Sequence, residues 1–148
     1  MRHRQAPSSS RLGAFVLRFF VSVFAPRRLC LVADGSHSIR KAAATILRDI
    51  RFSVAEAESR EEFLSQYRRH RPDAVLVDSA LAARDSFSVL KELTGTGGTG
   101  SPKIILCTHD RNPNHIVQAI SAGAHDYLIK PFDRTILMTK FERLGLTG

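Results

Sequence analysis

Between residues 29 and 144 the chain switches five times from a short apolar run to a segment with helical spacing, and this alternation constrains the fold more than any other feature. The apolar runs are 29–33 (LCLVA), 52–55 (FSVA), 74–77 (AVLV), 104–107 (IILC) and 127–129 (YLI). They are too short for helices, and most lack the polar alternation of a half-exposed strand, so they predict strands covered on both faces. Helices are predicted over 38–49, 60–69, 86–93, 113–122 and 134–144. Two of their starts are marked: Ser59 with Glu62 forms a capping box, and Asn112 sets a capping amide ahead of Pro113 at the first helical position. Strand and helix in strict alternation imply a parallel sheet with helices on both sides, here a five-stranded α/β sandwich.

A length of 148 residues fits one domain. The formal charge of +8 invites a nucleic-acid reading, but it is unevenly placed. Residues 1–28 hold six arginines and no carboxylate; taking those six from 22 basic residues leaves 16 against 14 acidic ones, so the body is only +2. Its one basic cluster, Arg68-Arg69-His70-Arg71, reads as the solvated end of a helix, and no nucleic-acid partner is expected. Residues 1–27 form a separate basic extension, polar at first (MRHRQAPSSS) and then apolar over 13–25 (GAFVLRFFVSVFA). Thirteen residues containing Arg18 fall short of the roughly 20 that span a bilayer. Pro26 and the lack of an Ala-x-Ala site argue against a cleaved signal peptide. A helix over 13–25 lying on a membrane surface is an alternative, but its lone arginine makes a poor polar face, so membrane contact there is not the favoured reading. The extension therefore reads as disordered or dispensable, and the folded domain is expected over 28–148.

Ligands of such sheets bind beyond the carboxyl ends of the strands, so strand-ending residues are the candidates. They are Asp34, Asp78, Thr108 and Lys130: two carboxylates, a hydroxyl and an ammonium on one rim. Two carboxylates suit Mg²⁺, which keeps several waters and takes one or two protein carboxylates plus phosphate oxygens. A carboxylate can also attack phosphorus, with Thr108 and Lys130 placed to meet the phosphoryl oxygens. Polar strand ends are common at solvent edges; four complementary ones together are much less so.

The stretches PDAVLVD (72–78), LCTHD (106–110), AGAHDYLIKPF (122–132) and LVADGS (31–36) resemble the receiver domain of bacterial two-component response regulators, over about residues 28–146. The resemblance implies a flavodoxin-like, doubly wound parallel sheet in the order 2-1-3-4-5. It assigns Asp78 as phosphoacceptor, Asp34 as the first of an acidic pair, Thr108 and Tyr127 as switch residues and Lys130 as the conserved lysine, with a cis bond to Pro131. It places Mg²⁺ on Asp34, Asp78 and the backbone carbonyl of Ala80. The implied partners are a sensor histidine kinase or histidine phosphotransfer protein upstream and an output protein downstream, with the surface of the 113–122 helix, fifth strand and last helix changing preference on phosphorylation. A cytoplasmic setting is implied. Cys30 and Cys107 then fall in strands that are not neighbours, so no disulfide is expected.

The sequence departs from the family at Gly35, where a second acid usually stands, and at Ala82 and Ser86, which replace a proline and a glycine. Gly35 has no side-chain ligand to give, so Mg²⁺ is expected to bind weakly. With only 145–148 after the last helix, a single-domain regulator acting through a partner surface is expected rather than an enzyme. The alternative is a degenerate pseudo-receiver that binds partners without phosphorylation. A small metal-dependent phosphatase would need a further base, and none is in sight. The run 95–100, GTGGTG, matches G-x-G-x-x-G but follows a helix and precedes a strand, the reverse of a dinucleotide site. The six histidines have no metal-ligand spacing, and His109 reads as a surface residue.

Overall fold

A computed structural model describes residues 27–94 and 100–147 together with Gly13 and Val16, leaving aside the side chains of 84–86. Most of the 1–27 extension and all of the GTGGTG run except Gly100 lie outside the described residues. Strands β1 (Leu29–Ala33), β2 (Ser53–Ala57), β3 (Ala74–Asp78), β4 (Lys103–Thr108) and β5 (Asp126–Ile129) form one parallel sheet in the order β2-β1-β3-β4-β5. The helices are α1 (His37–Asp49), α2 (Arg60–His70), α3 (Ser79–Ala82), α4 (Arg84–Thr94), α5 (Pro113–Ala122) and α6 (Arg134–Arg143).

The strands are apolar throughout because each residue parity has its own core. Leu31, Val75, Val77, Ile104 and Leu106 enter one buried cluster with Phe63 of α2 and Val89 and Leu90 of α4. Their neighbours Cys30, Val32, Leu76, Ile105 and Leu128 enter the other, with Leu47 of α1 and Leu137 and Phe141 of α6. Successive strand side chains point to opposite faces, so a run without alternation is what two covered faces require. Each fully buried Leu, Ile or Phe contributes roughly 1.5–3 kcal/mol, which anchors the strands whose ends form the rim.

Helix starts follow the predicted chemistry. Ser59 accepts from Glu62 N at 3.1 Å, and the Glu62 carboxylate reaches back to Glu58 N at 3.4 Å, one residue earlier than in the standard box. Asn112 accepts from Asn114 N at 3.0 Å, and Pro113 opens α5 as expected.

Two elements differ from the sequence expectation. The second strand is displaced to Ser53–Ala57, because Phe52 N–H closes the end of α1 on Leu47 O (3.0 Å) and the Phe52 ring packs edge-on against Phe141, 5.2 Å between centroids. Glu56 is thereby drawn into the ladder, where Lys41 and Arg40 satisfy its carboxylate. The second difference is α3, a single turn directly after β3 that has no sequence periodicity of its own. Its Ala83 N–H bonds Ser79 O at 2.7 Å, and alanines at 80, 82 and 83 favour the turn. The next helix consequently starts at Arg84 rather than at 86.

Candidate functional site

Parallel strands all end on one side, so β1, β3, β4 and β5 carry the four predicted rim residues to one place. The centre is Lys130, 6 % exposed, whose Nζ donates to Asp34 Oδ2 at 2.5 Å and to Asp78 Oδ1 at 2.6 Å. Burial lowers the pKa of this ammonium, but the hydrogen bonds it donates to the two carboxylates, with their negative charge, outweigh it and hold the lysine above its ordinary value. The Lys130–Pro131 peptide is cis, and Lys130 N–H bonds Thr108 O at 2.8 Å, which ties the lysine backbone to the end of β4.

Asp34, 5 % exposed, is held through every polar group it has. Its N–H donates to Ala57 O at 3.0 Å, its Oδ1 accepts from Ser36 N at 2.8 Å, and its carbonyl accepts from the Arg40 guanidinium at 2.7 Å. Arg40 is itself buried and pairs with Glu56 at 3.4 Å and Glu58 at 3.8 Å. Burial raises the Glu56 pKa, but the Lys41 and Arg40 partners more than reverse this and hold its carboxyl below the usual value. The position of Asp34 is thus fixed from both sides of the strand end.

Thr108, 3 % exposed, accepts two hydrogen bonds at Oγ1, from the Ser79 hydroxyl (3.1 Å) and from Asp110 N (3.0 Å). Asp110 also contacts the His115 imidazole, and that hydrogen bond is the main reason its carboxyl titrates below the usual value. A cleft of about 310 Å³ opens beside Thr108, with Ser79, Asp110 and His115 on its polar side and Phe87, Leu106 and Ile116 on its apolar side. Phe87 has a φ of 61°, a conformation that costs a bulky residue roughly 1–2 kcal/mol and that sits next to the position where the resembled family carries glycine. Tyr127 lies opposite Leu106 in the β4–β5 register, half-buried against the same core, with Lys140 Nζ 4.4 Å from its ring centroid.

Gly35 is exposed beside this site. A Cβ built there meets nothing nearer than Glu58 O at 3.8 Å, so the missing acid is a matter of sequence and not of space. Among the described residues no group of three or more His, Cys, Asp or Glu side chains could hold a metal ion. The donor set that remains is Asp34 and Asp78, with Ala80 in α3 two residues further on. Two carboxylates meet the minimum for Mg²⁺, which takes its remaining ligands from water and phosphate oxygens, and exceed it nowhere.

Of the other residues singled out in the sequence, His109 is exposed, and Cys30 and Cys107 are free and buried with β3 between their strands. Burial pushes the Cys107 thiol up to about 12, so it is inert as a nucleophile. Sequence reasoning missed Arg40 and Ser79. The signal for Arg40 was present: it occupies the stripe 40, 43, 44, 47 that α1 buries, and a charge on an otherwise apolar stripe needs buried partners. Ser79 had no such signal, since its hydroxyl reaches Thr108 only because α3 turns it across β4.

Comparison with known proteins agrees with this geometry. The family model of the response regulator receiver domain matches residues 30–142. The chemotaxis protein CheY of Bacillus subtilis is 32% identical over 103 residues, covering 69% of this chain and 84% of its own. Among solved structures, a putative response regulator from Chloroflexus aurantiacus superimposes with a TM-score of 0.71 at 26% identity, over 80% of this chain and 98% of that one. The chemotaxis response regulator CheY4 of Vibrio cholerae gives 0.71 at 24% identity over 80% and 99%. A CheY-like α/β fold with an acid-and-lysine rim defines a class of signalling module. The chain belongs to the response regulator receiver family.

Proposed function

We propose that this chain is a single-domain response regulator that accepts a phosphoryl group on Asp78 from a sensor histidine kinase or histidine phosphotransfer protein. The observation that carries the reading is Lys130 bridging Asp34 and Asp78 at the rim. An Asp78 carboxylate oxygen attacks phosphorus; the donor's P–N bond breaks, its electron pair stays on the imidazole nitrogen, and an acyl phosphate remains on Asp78. Lys130, already hydrogen-bonded to Asp78 Oδ1, pairs with the added negative charge. Asp34 keeps Lys130 protonated and aimed at the site. A Mg²⁺ ion on Asp34, Asp78 and the Ala80 carbonyl would supply Lewis-acid stabilisation of the phosphoryl oxygens.

The Thr108 hydroxyl, now bound by Ser79 and Asp110 N, exchanges these partners for a phosphoryl oxygen. Tyr127 senses the change through the shared core, and the surface of α5, β5 and α6 alters its preference for an output protein. Phosphoryl-donor chemistry belongs to the partner, so the chain acts as a signalling switch and not as an enzyme with its own substrate.

Gly35 favours a second reading, a pseudo-receiver whose partner binding ignores phosphate. The two separate in one experiment: incubation with acetyl phosphate across a Mg²⁺ titration, with intact mass as readout and Asp78→Ala alongside. An adduct that requires both Mg²⁺ and Asp78 is expected. No adduct at high Mg²⁺, even with a competent phosphohistidine donor, replaces the switch with the pseudo-receiver.

A further inference from the structure

Strand β5 is the outermost strand of the sheet, and Lys140 closes its free edge. Helix α6 packs on one face of the sheet through Leu137 and Phe141, both fully buried in the cluster that holds Leu128. Tyr127 lies on the other face, against the cluster of Leu106, Ala119 and Ala122. Lys140 reaches from the first face to the second round the edge. Its Nζ donates to Asp126 Oδ1 at 2.8 Å and stands 4.4 Å from the centre of the Tyr127 ring. Asp126 Oδ1 also accepts the Tyr127 N–H at 2.8 Å, so one carboxylate oxygen locates both the ammonium and the backbone that carries the ring. The Lys140 and Asp126 side chains are each 15% exposed, against 71% and 61% for the Arg68–Glu92 pair, so water screens this cluster only in part.

The ion pair with Asp126 can hold whichever way the Tyr127 ring turns, whereas the contact with the ring exists in one orientation only. A ring face attracts a cation through its quadrupole, so the contact favours the present orientation alone. An interaction made in one of two states biases the equilibrium between them. The cleft beside Thr108 lies on the Tyr127 face, and Leu106, the cross-strand neighbour of Tyr127, forms part of its wall. A ring that turns towards that cleft leaves Lys140 behind.

We propose that Lys140 is a positioning residue that latches Tyr127 at the free edge of the sheet and so holds the switch in its unphosphorylated setting. The proposal rests on the reading of Tyr127 as the residue that responds to Thr108. Lys140 touches neither Asp78 nor Thr108 and acts only through the ring. Its strength sets how much of the unphosphorylated chain already shows the signalling surface.

The test uses the full chain labelled with meta-fluorotyrosine, which enters at two positions only, Tyr67 and Tyr127. Fluorine NMR reads both rings, and Tyr67→Phe assigns them. Lys140→Met removes the charge and keeps an apolar stem. It should raise the share of Tyr127 signal at a displaced position about fivefold, the shift that one cation–π contact of ordinary strength is worth, and leave Tyr67 unmoved. Lys140→Arg keeps a cation for both partners and should restore the parent spectrum. Asp126→Asn keeps an acceptor for the Tyr127 N–H but loses the charge that locates Lys140, and should move the signal the same way by less. If Lys140→Met melts far below the parent, Asp126→Asn and Lys140→Arg carry the test. A Tyr127 signal unmoved in the charge-removing variants, equal movement of both tyrosines, or a Lys140→Arg spectrum like that of Lys140→Met would each overturn the latch. Acetyl phosphate with Mg²⁺, its adduct read by intact mass, separates this from the phosphoryl-acceptor reading. No adduct, beside a displaced Tyr127 in Lys140→Met, overturns that reading and supports the latch on the ring. An adduct that displaces Tyr127 in the parent, beside an unmoved signal in unphosphorylated Lys140→Met, supports the switch and overturns the latch.

Discussion

Lys130 and Arg51 stand at opposite ends of one sheet and obey different physics. Lys130 is buried with its charge matched by two carboxylates, and each member of the trio depends on the others. Arg51 is exposed among other arginines, where water screens every charge and no single one is needed by its neighbours. The difference teaches that a cation's worth is set by what its removal leaves behind. At the rim it leaves a buried carboxylate, Asp34, facing the partly buried Asp78; at the opposite end it leaves slightly less repulsion.

The comparison is broken most directly by deleting one charge at each end. Lys130→Met should lower stability by about 3 kcal/mol in urea denaturation, the cost of orphaning a buried ionic group. Arg51→Gln should stay within about 0.5 kcal/mol of the parent. Similar losses for the two would mean that the rim is far more hydrated than its burial implies. A second way to sharpen the contrast is to add charge at the rim. Gly35→Asp, which meets no steric barrier, should tighten Mg²⁺ binding about tenfold by isothermal titration, since a third carboxylate joins the donor set. An unchanged affinity would remove Asp34 and its neighbourhood from the metal site.

The smallest effect is in the pH profile. The folded-state pKa of Lys130 is raised, so its contribution is fully present below the unfolded value of about 10.4 and is lost as pH rises through the folded value. Thermal melting between pH 8 and 11 should therefore fall at the alkaline end more steeply for the parent than for Lys130→Met. Parallel curves would show that the lysine is not held by Asp34 and Asp78. Glu56 has the opposite sign: its pKa is lowered, and its stabilisation is lost as pH drops below the ordinary carboxylate range.

Legibility from sequence followed the range of the interaction. Strands, most helix bounds and the caps at Ser59 and Asn112 were readable because they are decided by residues a few positions apart. The resemblance supplied the sheet order, and the structure has that order. The second strand was placed too early because the ring of Phe52 is claimed by Phe141, 89 positions away and invisible to any local pattern. The turn α3 was missed because four residues are too few to show a period.

By itself the sequence determined that the sheet would be parallel and covered on both sides, and which four polar residues would end its strands. It could do so because strand parity and helix capping are local consequences of side-chain type. Only the tertiary structure decided that Lys130 would hold Asp34 and Asp78 at once, that Arg40 would clamp the Asp34 carbonyl, and that Lys140 would reach both Asp126 and the Tyr127 ring. Those arrangements depend on register and crossover, which bring together groups separated by 52 and 96 residues and convert unrelated local choices into one electrostatic pattern.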